Sequence, residues 1–142
     1  MSNRADLDWR FGDAWVGQLD QSLRRTPPAA SMPVRIGLGN SGDPAPRVVI
    51  RLGQDPGAGP PDPARPPEWD LRARPEDWDR LGRGGFDHLA LSVGLLTRRL
   101  EIEVGSPGAL SEDQRVRAAL VAALDAAARI PPPPPTEEES PR

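Results

Sequence analysis

Apolar residues recur along the chain with two periods, and the longer period predicts a helix near the N-terminus. Over residues 5–25 an apolar side chain returns at every fourth position, which places these side chains on one helix face. The positions are Leu7, Phe11, Trp15, Leu19 and Leu23. The helix is expected to end before Thr26-Pro27-Pro28, because a residue that precedes proline is disfavoured in the helical region. The aromatic-rich stripe could also be read as a ligand-contact surface, but we expect it to face a core.

The shorter period, strict alternation of apolar and polar residues, predicts strands. Residues 34–38 and 48–52 alternate in this way and are expected to pair as an antiparallel hairpin with a long connection. Residues 69–73 predict a short third strand. Residues 100–104 give the clearest alternation, so we expect one face of that strand to be buried and the other to be solvated.

Two helices are predicted between the last two strands. Pro75 suits the first turn of a helix, where its missing N–H is not needed, and an acidic pair follows it at the positive helix end. We therefore expect a helix over residues 75–82, a glycine break over 82–85 and a second helix over 86–96. The expected apolar face of the second helix comprises Phe86, Leu89, Ala90, Val93 and Leu96.

A last helix is predicted over residues 112–129. Ser111 and Gln114 have the spacing of a capping box, in which side chains satisfy the free N–H groups of the first turn. Pro131 is expected to stop the helix. Its apolar stripe comprises Val116, Leu120, Leu124 and Ala127.

Proline and glycine indicate the domain boundaries. The chain contains 19 Pro and 14 Gly, which cluster at 53–67 and near the C-terminus. Residues 53–67 are expected to form a loop or polyproline segment, because they cannot sustain a helix and lack the donors for a strand ladder. We therefore predict a single domain over residues 1–130 and a disordered, Pro-rich acidic tail over 131–142.

Composition and charge narrow the function classes. All 18 basic residues are Arg, a bias typical of a GC-rich bacterial genome. The net charge is −3 with both signs interspersed, so we expect no nucleic-acid partner. The chain has no Cys, which excludes disulfides and thiolate chemistry. Without a signal-peptide pattern or an apolar run of membrane-spanning length, we expect a cytoplasmic protein with no transmembrane segment.

Residue types that perform catalysis are sparse. His88 is the single histidine, and adjacent Asp87 would point about 100° away from it on a helix. Glu101 and Glu103 share a strand face with Arg99, as is typical of a solvated surface. A catalytic triad, a metal-ligand set or a Schiff-base lysine cannot be assembled, so we expect no enzyme acting alone, no cofactor and no metal. An enzyme domain that works only within a complex would use His88 with Glu101 or Glu103.

Residues 69–105 resemble the sterol carrier protein 2 family. The resemblance is carried by Leu71-Arg72-Ala73 after an extended stretch, Glu76-Asp77 at a helix start, the segment Leu81-Gly82-Arg83-Gly84, and the run 92–102. In that family the corresponding run is a helix, a Leu-x-x-Gly turn, a second helix and a strand. The resemblance implies an α+β fold, with a mixed or antiparallel sheet of about four to five strands covered by helices on one side. It also implies an apolar tunnel between the sheet and the helices.

The same resemblance implies a function and a departure from the family. Where the family usually carries another strand, this chain has the Pro-rich segment 53–67, so we expect a shortened sheet. The implied function is non-catalytic binding of a hydrophobic small molecule or lipid, such as a sterol, a fatty acid or an acyl chain. The side chains expected to contact it are Trp78, Leu81, Phe86, Leu89, Val93, Leu96, Leu120 and Leu124.

These apolar side chains would serve equally well as a filled core. The alternative function is therefore an accessory or assembly subunit that binds a partner protein through its Pro-rich segments, without a small-molecule ligand. A core that lacks a pocket of a few hundred Å³ would favour this alternative.

Overall fold

A computed structural model describes residues 9–28, 32–82 and 85–131, and the structural statements that follow concern these residues. Within them, five strands form one mixed sheet in the order β3-β2-β1-β4-β5. β1 runs parallel to β4, and the other neighbouring pairs are antiparallel. The strands are β1 (Val34–Asn40), β2 (Val48–Leu52), β3 (Gly57–Gly59), β4 (Trp69–Ala73) and β5 (Glu101–Val104).

Helices cover one face of the sheet, as the α+β prediction required. The described helices are α1 (Asp13–Arg25), α2 (Pro75–Gly82), α3 (His88–Leu96), α4 (Pro107–Glu112) and α5 (Gln114–Ala128). α5 is central, because it packs against the other four helices and against β1 and β2. Ile36, Ile50 and Leu71 are fully buried between the sheet and this layer. The predicted hairpin is confirmed, with Ile36 opposite Ile50.

Loops cover part of the opposite face. A Cβ atom on Gly37 of β1 would lie 2.9 Å from Cβ of Pro46 and 3.2 Å from Cγ of Pro67. Two proline rings therefore lie directly on the strand, and only glycine leaves room for them. Asp70 and Arg72 of β4 are buried on this same face, since they pair in register with Gly37 and Gly39.

The Pro-rich segment 53–67 contains a strand, which corrects the prediction that it lacks donors for a ladder. Gly57, Ala58 and Gly59 form β3 and pair antiparallel with β2. These three residues carry no proline, so their N–H groups are free to bond. The expected shortening of the sheet is therefore wrong, and the sheet reaches five strands.

The first helix is shorter than its apolar stripe predicted. α1 begins at Asp13, and Phe11 lies before it with a φ of 71°. Its ring is nevertheless buried, because the turn over residues 9–12 directs it into the same core as Trp15. Leu7 lies outside the described residues, so its predicted place in the stripe stays a prediction.

Two other helix boundaries differ from the prediction. α3 begins at His88, because the Asp87 carboxylate caps it by accepting the Ala90 N–H at 2.8 Å. The last predicted helix begins at Gln114 rather than 112, because Asp113 caps α5 by accepting the Arg115 N–H at 3.0 Å, and the short helix α4 before it was not predicted. The predicted capping box starting at Ser111 is therefore wrong. An aspartate nearer the apolar run provides the cap instead.

Asp20 joins α1 to the edge strand β3, and this contact predicts a pH dependence. Its carboxylate accepts the Ala58 N–H at 2.9 Å and pairs with Arg24 at 3.0 Å. The bond from Ala58, helped by Arg24 and opposed by burial, lowers the pKa of Asp20. A lowered folded-state pKa gives stability above the usual carboxyl range near about pH 4, and this stability is lost as the pH falls through the folded value.

We expect Asp20→Asn to lower the free energy of unfolding at neutral pH by about 1 kcal/mol, because the charge-assisted bond to Ala58 weakens. The deficit should shrink as the pH falls below about 4, where the wild-type carboxylate becomes protonated. Urea unfolding of the wild type and of Asp20→Asn, from neutral pH to below about pH 4, measures this deficit. A deficit that stays constant down to acid pH would contradict the assignment.

Candidate ligand-binding site

An internal cavity lies between the sheet and the helices, at the place where the sequence resemblance implied a tunnel. It is bounded by β1 below, by α1 and α2 at the sides and by α5 above. The lining residues are Arg10, Phe11, Trp15, Leu38, Trp78, Leu81, Phe86, Leu124, Ala127 and Ala128. Its volume is about 20 Å³, which is room for about one water molecule. The cavity is therefore nearly filled by the side chains that line it.

Three aromatic rings form one wall of the cavity. Phe11 packs edge-on against Trp15, with ring centroids 5.2 Å apart, and against Trp78 at 6.1 Å. The indole Nε1 of Trp78 donates a hydrogen bond to the Gly39 carbonyl oxygen at 3.0 Å. This bond ties the Trp78 ring to the end of β1, so this part of the wall is fixed by the sheet.

Trp15 has a buried donor that the described protein groups leave unused. The residue is 3% exposed, and its Nε1 has no hydrogen-bond partner among the described residues. A buried N–H without an acceptor costs about 1 to 3 kcal/mol. Trp15 thus differs from Trp78, which lines the same cavity with its N–H satisfied.

An ion pair lies at the cavity's polar edge. Arg10 contributes to the lining, and its Nη2 lies 2.9 Å from a carboxylate oxygen of Asp79. The Arg10 side chain is 14% exposed and the Asp79 side chain is 46% exposed. The guanidinium also lies over the Trp9 ring, 4.4 Å from its centroid. The single charge on the described lining is therefore already matched by a carboxylate.

Phe86 closes the cavity from a segment that belongs to neither neighbouring helix. It lies between Gly85, whose φ is +99°, and the N-cap of α3. Its backbone N–H is held by the Asp125 carboxylate of α5 at 2.9 Å. A side-chain bond, rather than a helix or sheet ladder, thus holds this part of the wall.

The eight side chains predicted to contact a ligand divide into three groups. Trp78, Leu81, Phe86 and Leu124 line the cavity together. Leu120 is fully buried in the core but is not part of the lining. The third group lies on the outside of α3, where Leu89 is 70%, Val93 44% and Leu96 83% exposed.

The predicted apolar face of α3 is therefore turned outward. The buried residues of this helix are Leu91 and Gly94. A Cβ on Gly94 would lie 3.2 Å from Leu100 and 3.3 Å from Leu81, so the helix packs most closely at its glycine. Apolar residues lie on every side of this helix, and their period could not show which side is buried.

Sequence reasoning missed the cavity residues Arg10, Leu38, Ala127 and Ala128 as contacts. It placed Phe11 and Trp15 in a core-facing stripe, which is correct, but did not connect them with the residues after Pro75. Clustered aromatic rings commonly line ligand pockets. The aromatic content of the stripe was therefore the one sequence signal that could have placed Phe11 and Trp15 at the cavity.

A second depression lies on the outer surface between α3 and the junction of α4 with α5. It has a volume of about 290 Å³ and is lined by Leu95, Leu96 and Leu110 among others. Arg117 also lines it and donates to the Ser92 hydroxyl at 2.6 Å. This depression is larger than the internal cavity but open to solvent.

The residues considered for catalysis do not form a site in the described part of the chain. His88 is exposed at the start of α3, where it lines an open depression with Gln114 and Arg117. Glu101 is exposed and accepts a hydrogen bond from the Ser41 hydroxyl at 3.1 Å. No cluster of potential metal ligands occurs among the described residues, and none of the described helices is long and apolar enough to span a membrane.

Comparisons with known proteins identify the fold. No protein-family model and no curated protein matches the chain. Three solved structures match, each with low sequence identity. The crystal structure of sterol carrier protein 2 is 18% identical, with a TM-score of 0.60 over 85% of this chain and 98% of that chain.

The other two structures agree with the first. A solution structure from Thermus thermophilus, described as possibly a sterol carrier protein, is 18% identical, with a TM-score of 0.55 over 88% of this chain and 92% of that chain. A structure named "UbiJ-SCP2 Ubiquinone synthesis protein" is 15% identical, with a TM-score of 0.54 over 80% of this chain and 88% of that chain. The chain therefore has the sterol carrier protein 2 fold, and the resemblance seen in residues 69–105 is confirmed at the level of the fold.

Proposed function

We propose that this protein is a non-catalytic binding protein for a hydrophobic ligand, such as a sterol, a fatty acid or an acyl chain. The ligand would lie between the sheet and the helices, at the internal cavity. The observation that carries the proposal is the position of this cavity, walled by Phe11, Trp15 and Trp78, in a fold shared with sterol carrier protein 2. The protein would act in the cytoplasm as a single domain.

Ligand entry would require the cavity to widen, since about 20 Å³ cannot hold an acyl chain. The Phe86 segment is the wall best suited to move, because a hydrogen bond to the Asp125 side chain, rather than a helix or sheet ladder, holds its backbone. An apolar ligand would gain about 25 cal/mol for each Å² of surface that leaves water, which can offset the loss of one such hydrogen bond. The closed cavity is then the ligand-free form of the site.

Lipid carried by the protein from its native host tests this proposal. The protein is purified without denaturants, and mass spectrometry of the extract measures lipid per chain against a heat-denatured control. We expect one lipid class at close to one molecule per chain. A protein that emerges empty and also fails to take up a fluorescent fatty acid would contradict the proposal.

A second candidate function is that of an accessory subunit that binds a partner protein. The outward apolar face of α3, formed by Leu89, Val93 and Leu96, favours it, because contiguous exposed apolar surface is typical of interaction sites. The small volume of the cavity agrees with it.

Paired variants separate the two functions. If α3 is the contact surface, Leu89→Asp and Leu96→Asp should abolish co-purification of a defined partner from the native host. Val104→Asp, the same kind of change at an exposed apolar residue of β5, should preserve it. Lipid uptake should stay unchanged in all three variants. If the partner protein still co-purifies with Leu89→Asp and Leu96→Asp, the outer face of α3 is not the contact surface.

A further inference from the structure

The unused donor of Trp15 constrains the chemistry of the ligand. Trp15 lines the cavity, is almost completely buried, and its Nε1 lacks an acceptor among the described residues. A ligand oxygen placed against this N–H would remove the cost of the buried donor. A pure hydrocarbon would leave that cost in place.

The charge on the lining indicates which oxygen fits. Arg10 is the one charged residue of the described lining, and it is already paired with Asp79 at 2.9 Å. A carboxylate entering the cavity would have to compete for that guanidinium or remain buried without a counterion, which is costly. A neutral acceptor needs no counterion.

We infer that the ligand of this cavity presents a neutral carbonyl oxygen, as in an ester or a ketone, to the indole N–H of Trp15. The inference rests on the proposed function and specifies its ligand class. Trp15 becomes the residue that discriminates between apolar molecules with and without such an oxygen.

A trapped water molecule is the competing occupant, since the cavity has room for about one. A buried water usually makes two to four hydrogen bonds. Apart from Trp15, the polar side-chain groups of the described lining are Arg10, which is paired, and the Trp78 N–H, which is bound to Gly39. All of these side-chain groups are donors, so the described lining offers no side-chain acceptor for the two O–H groups of a water.

Three probes of similar chain length test the inference: methyl laurate, lauric acid and tridecane. Their affinities are measured by competition with a bound fluorescent fatty acid methyl ester, in the wild type, in Trp15→Phe and in Trp78→Phe. We expect Trp15→Phe to reduce the ratio of methyl laurate affinity to tridecane affinity by about tenfold. Comparing ratios cancels the different solubilities of the probes.

Trp78→Phe is the matched control, because it removes an indole N–H from the same cavity that is already satisfied within the protein. It should leave the ratio unchanged even if it lowers stability. An equal fall of the ratio in both variants, or none in Trp15→Phe, would overturn the inference while the proposed function stands. Preference for lauric acid over methyl laurate in the wild type would overturn it as well.

Indole N–H signals in a ¹⁵N-labelled wild type give a readout that does not depend on the folding of any variant. Methyl laurate should move the Trp15 signal downfield, and tridecane should leave it near its position in the free protein. A Trp15 N–H that keeps contact with water in the methyl laurate complex would overturn the inference. Failure of all three probes to bind, in a protein that also emerges from its native host without lipid, would overturn the inference together with the proposed function.

Discussion

Replacing Asp70 by alanine is expected to lower the free energy of unfolding by about 3 to 5 kcal/mol. Asp70 and Arg72 point to the same face of β4, and their side chains are 7% and 5% exposed. Two bonds of 2.7 and 2.9 Å join the guanidinium to the carboxylate. Without the carboxylate, Arg72 would keep a buried charge with no partner of opposite sign at that distance.

The same arginine also holds a neighbouring loop. Its Nη1 donates to the Asp43 carbonyl oxygen at 2.6 Å. The bond with Asp70, which outweighs burial, raises the pKa of Arg72 above its usual value. Asp70→Ala removes that bond, but an arginine side chain does not lose its proton in proteins, so the buried charge would remain. We therefore expect the loop over residues 41–46 to lose order together with the pair.

Urea unfolding with two controls measures this effect. Asp55→Ala removes a carboxylate that is 80% exposed and 3.7 Å from Arg24, and should cost less than about 0.5 kcal/mol. The double variant Asp70→Leu with Arg72→Met removes both charges and should recover most of the lost stability. A loss below about 1 kcal/mol for Asp70→Ala would show that the pair is not held in a buried setting.

Replacing Ala127 by leucine is expected to reduce lipid affinity by at least about tenfold, because the larger side chain occupies the space the ligand needs. Ala127 lies on α5, lines the cavity and is 8% exposed. Overpacking should change the free energy of unfolding by no more than about 1 to 3 kcal/mol. Titration with a fluorescent fatty acid methyl ester measures the affinity.

Ala126→Leu is the matched control, since Ala126 is the preceding residue of α5 and lies outside the cavity lining. It adds the same volume to the same helix and should leave the affinity unchanged. Equal affinity in the wild type and Ala127→Leu, with both variants folded, would place the ligand somewhere other than this cavity.

Most of the sheet could be predicted from the sequence because apolar residues alternate along its strands. In the strand predicted over residues 100–104, however, the expected buried face holds only at Leu100, since Ile102 is partly buried and Val104 is 47% exposed. Alternation located β1, β2 and β4, and Pro75 marked the first residue of α2. β3 could not be found in this way, since Gly57-Ala58-Gly59 has almost no side chains to alternate. Its pairing depends on free N–H groups and on the Asp20 carboxylate of α1, which a local pattern does not reveal.

The cavity could be predicted only in part, for a related reason. Trp78, Leu81 and Phe86 are close in sequence and were recognised together, whereas Phe11 and Trp15 reach the same place from the other end of the chain. The outward face of α3 was misjudged because its residues are apolar on every side. Its orientation is set by the close approach of Gly94 to Leu81 and Leu100, which is a tertiary contact.

The central claim is that a hydrophobic ligand binds between the sheet and the helices. The most direct measurement is the set of nuclear Overhauser contacts between bound methyl laurate and the labelled protein. The account predicts contacts from the ligand to the rings of Trp15, Trp78 and Phe86, and to the methyl groups of Leu124. Saturable binding with contacts only to Leu89, Val93 and Leu96 on the outside of α3 would contradict it.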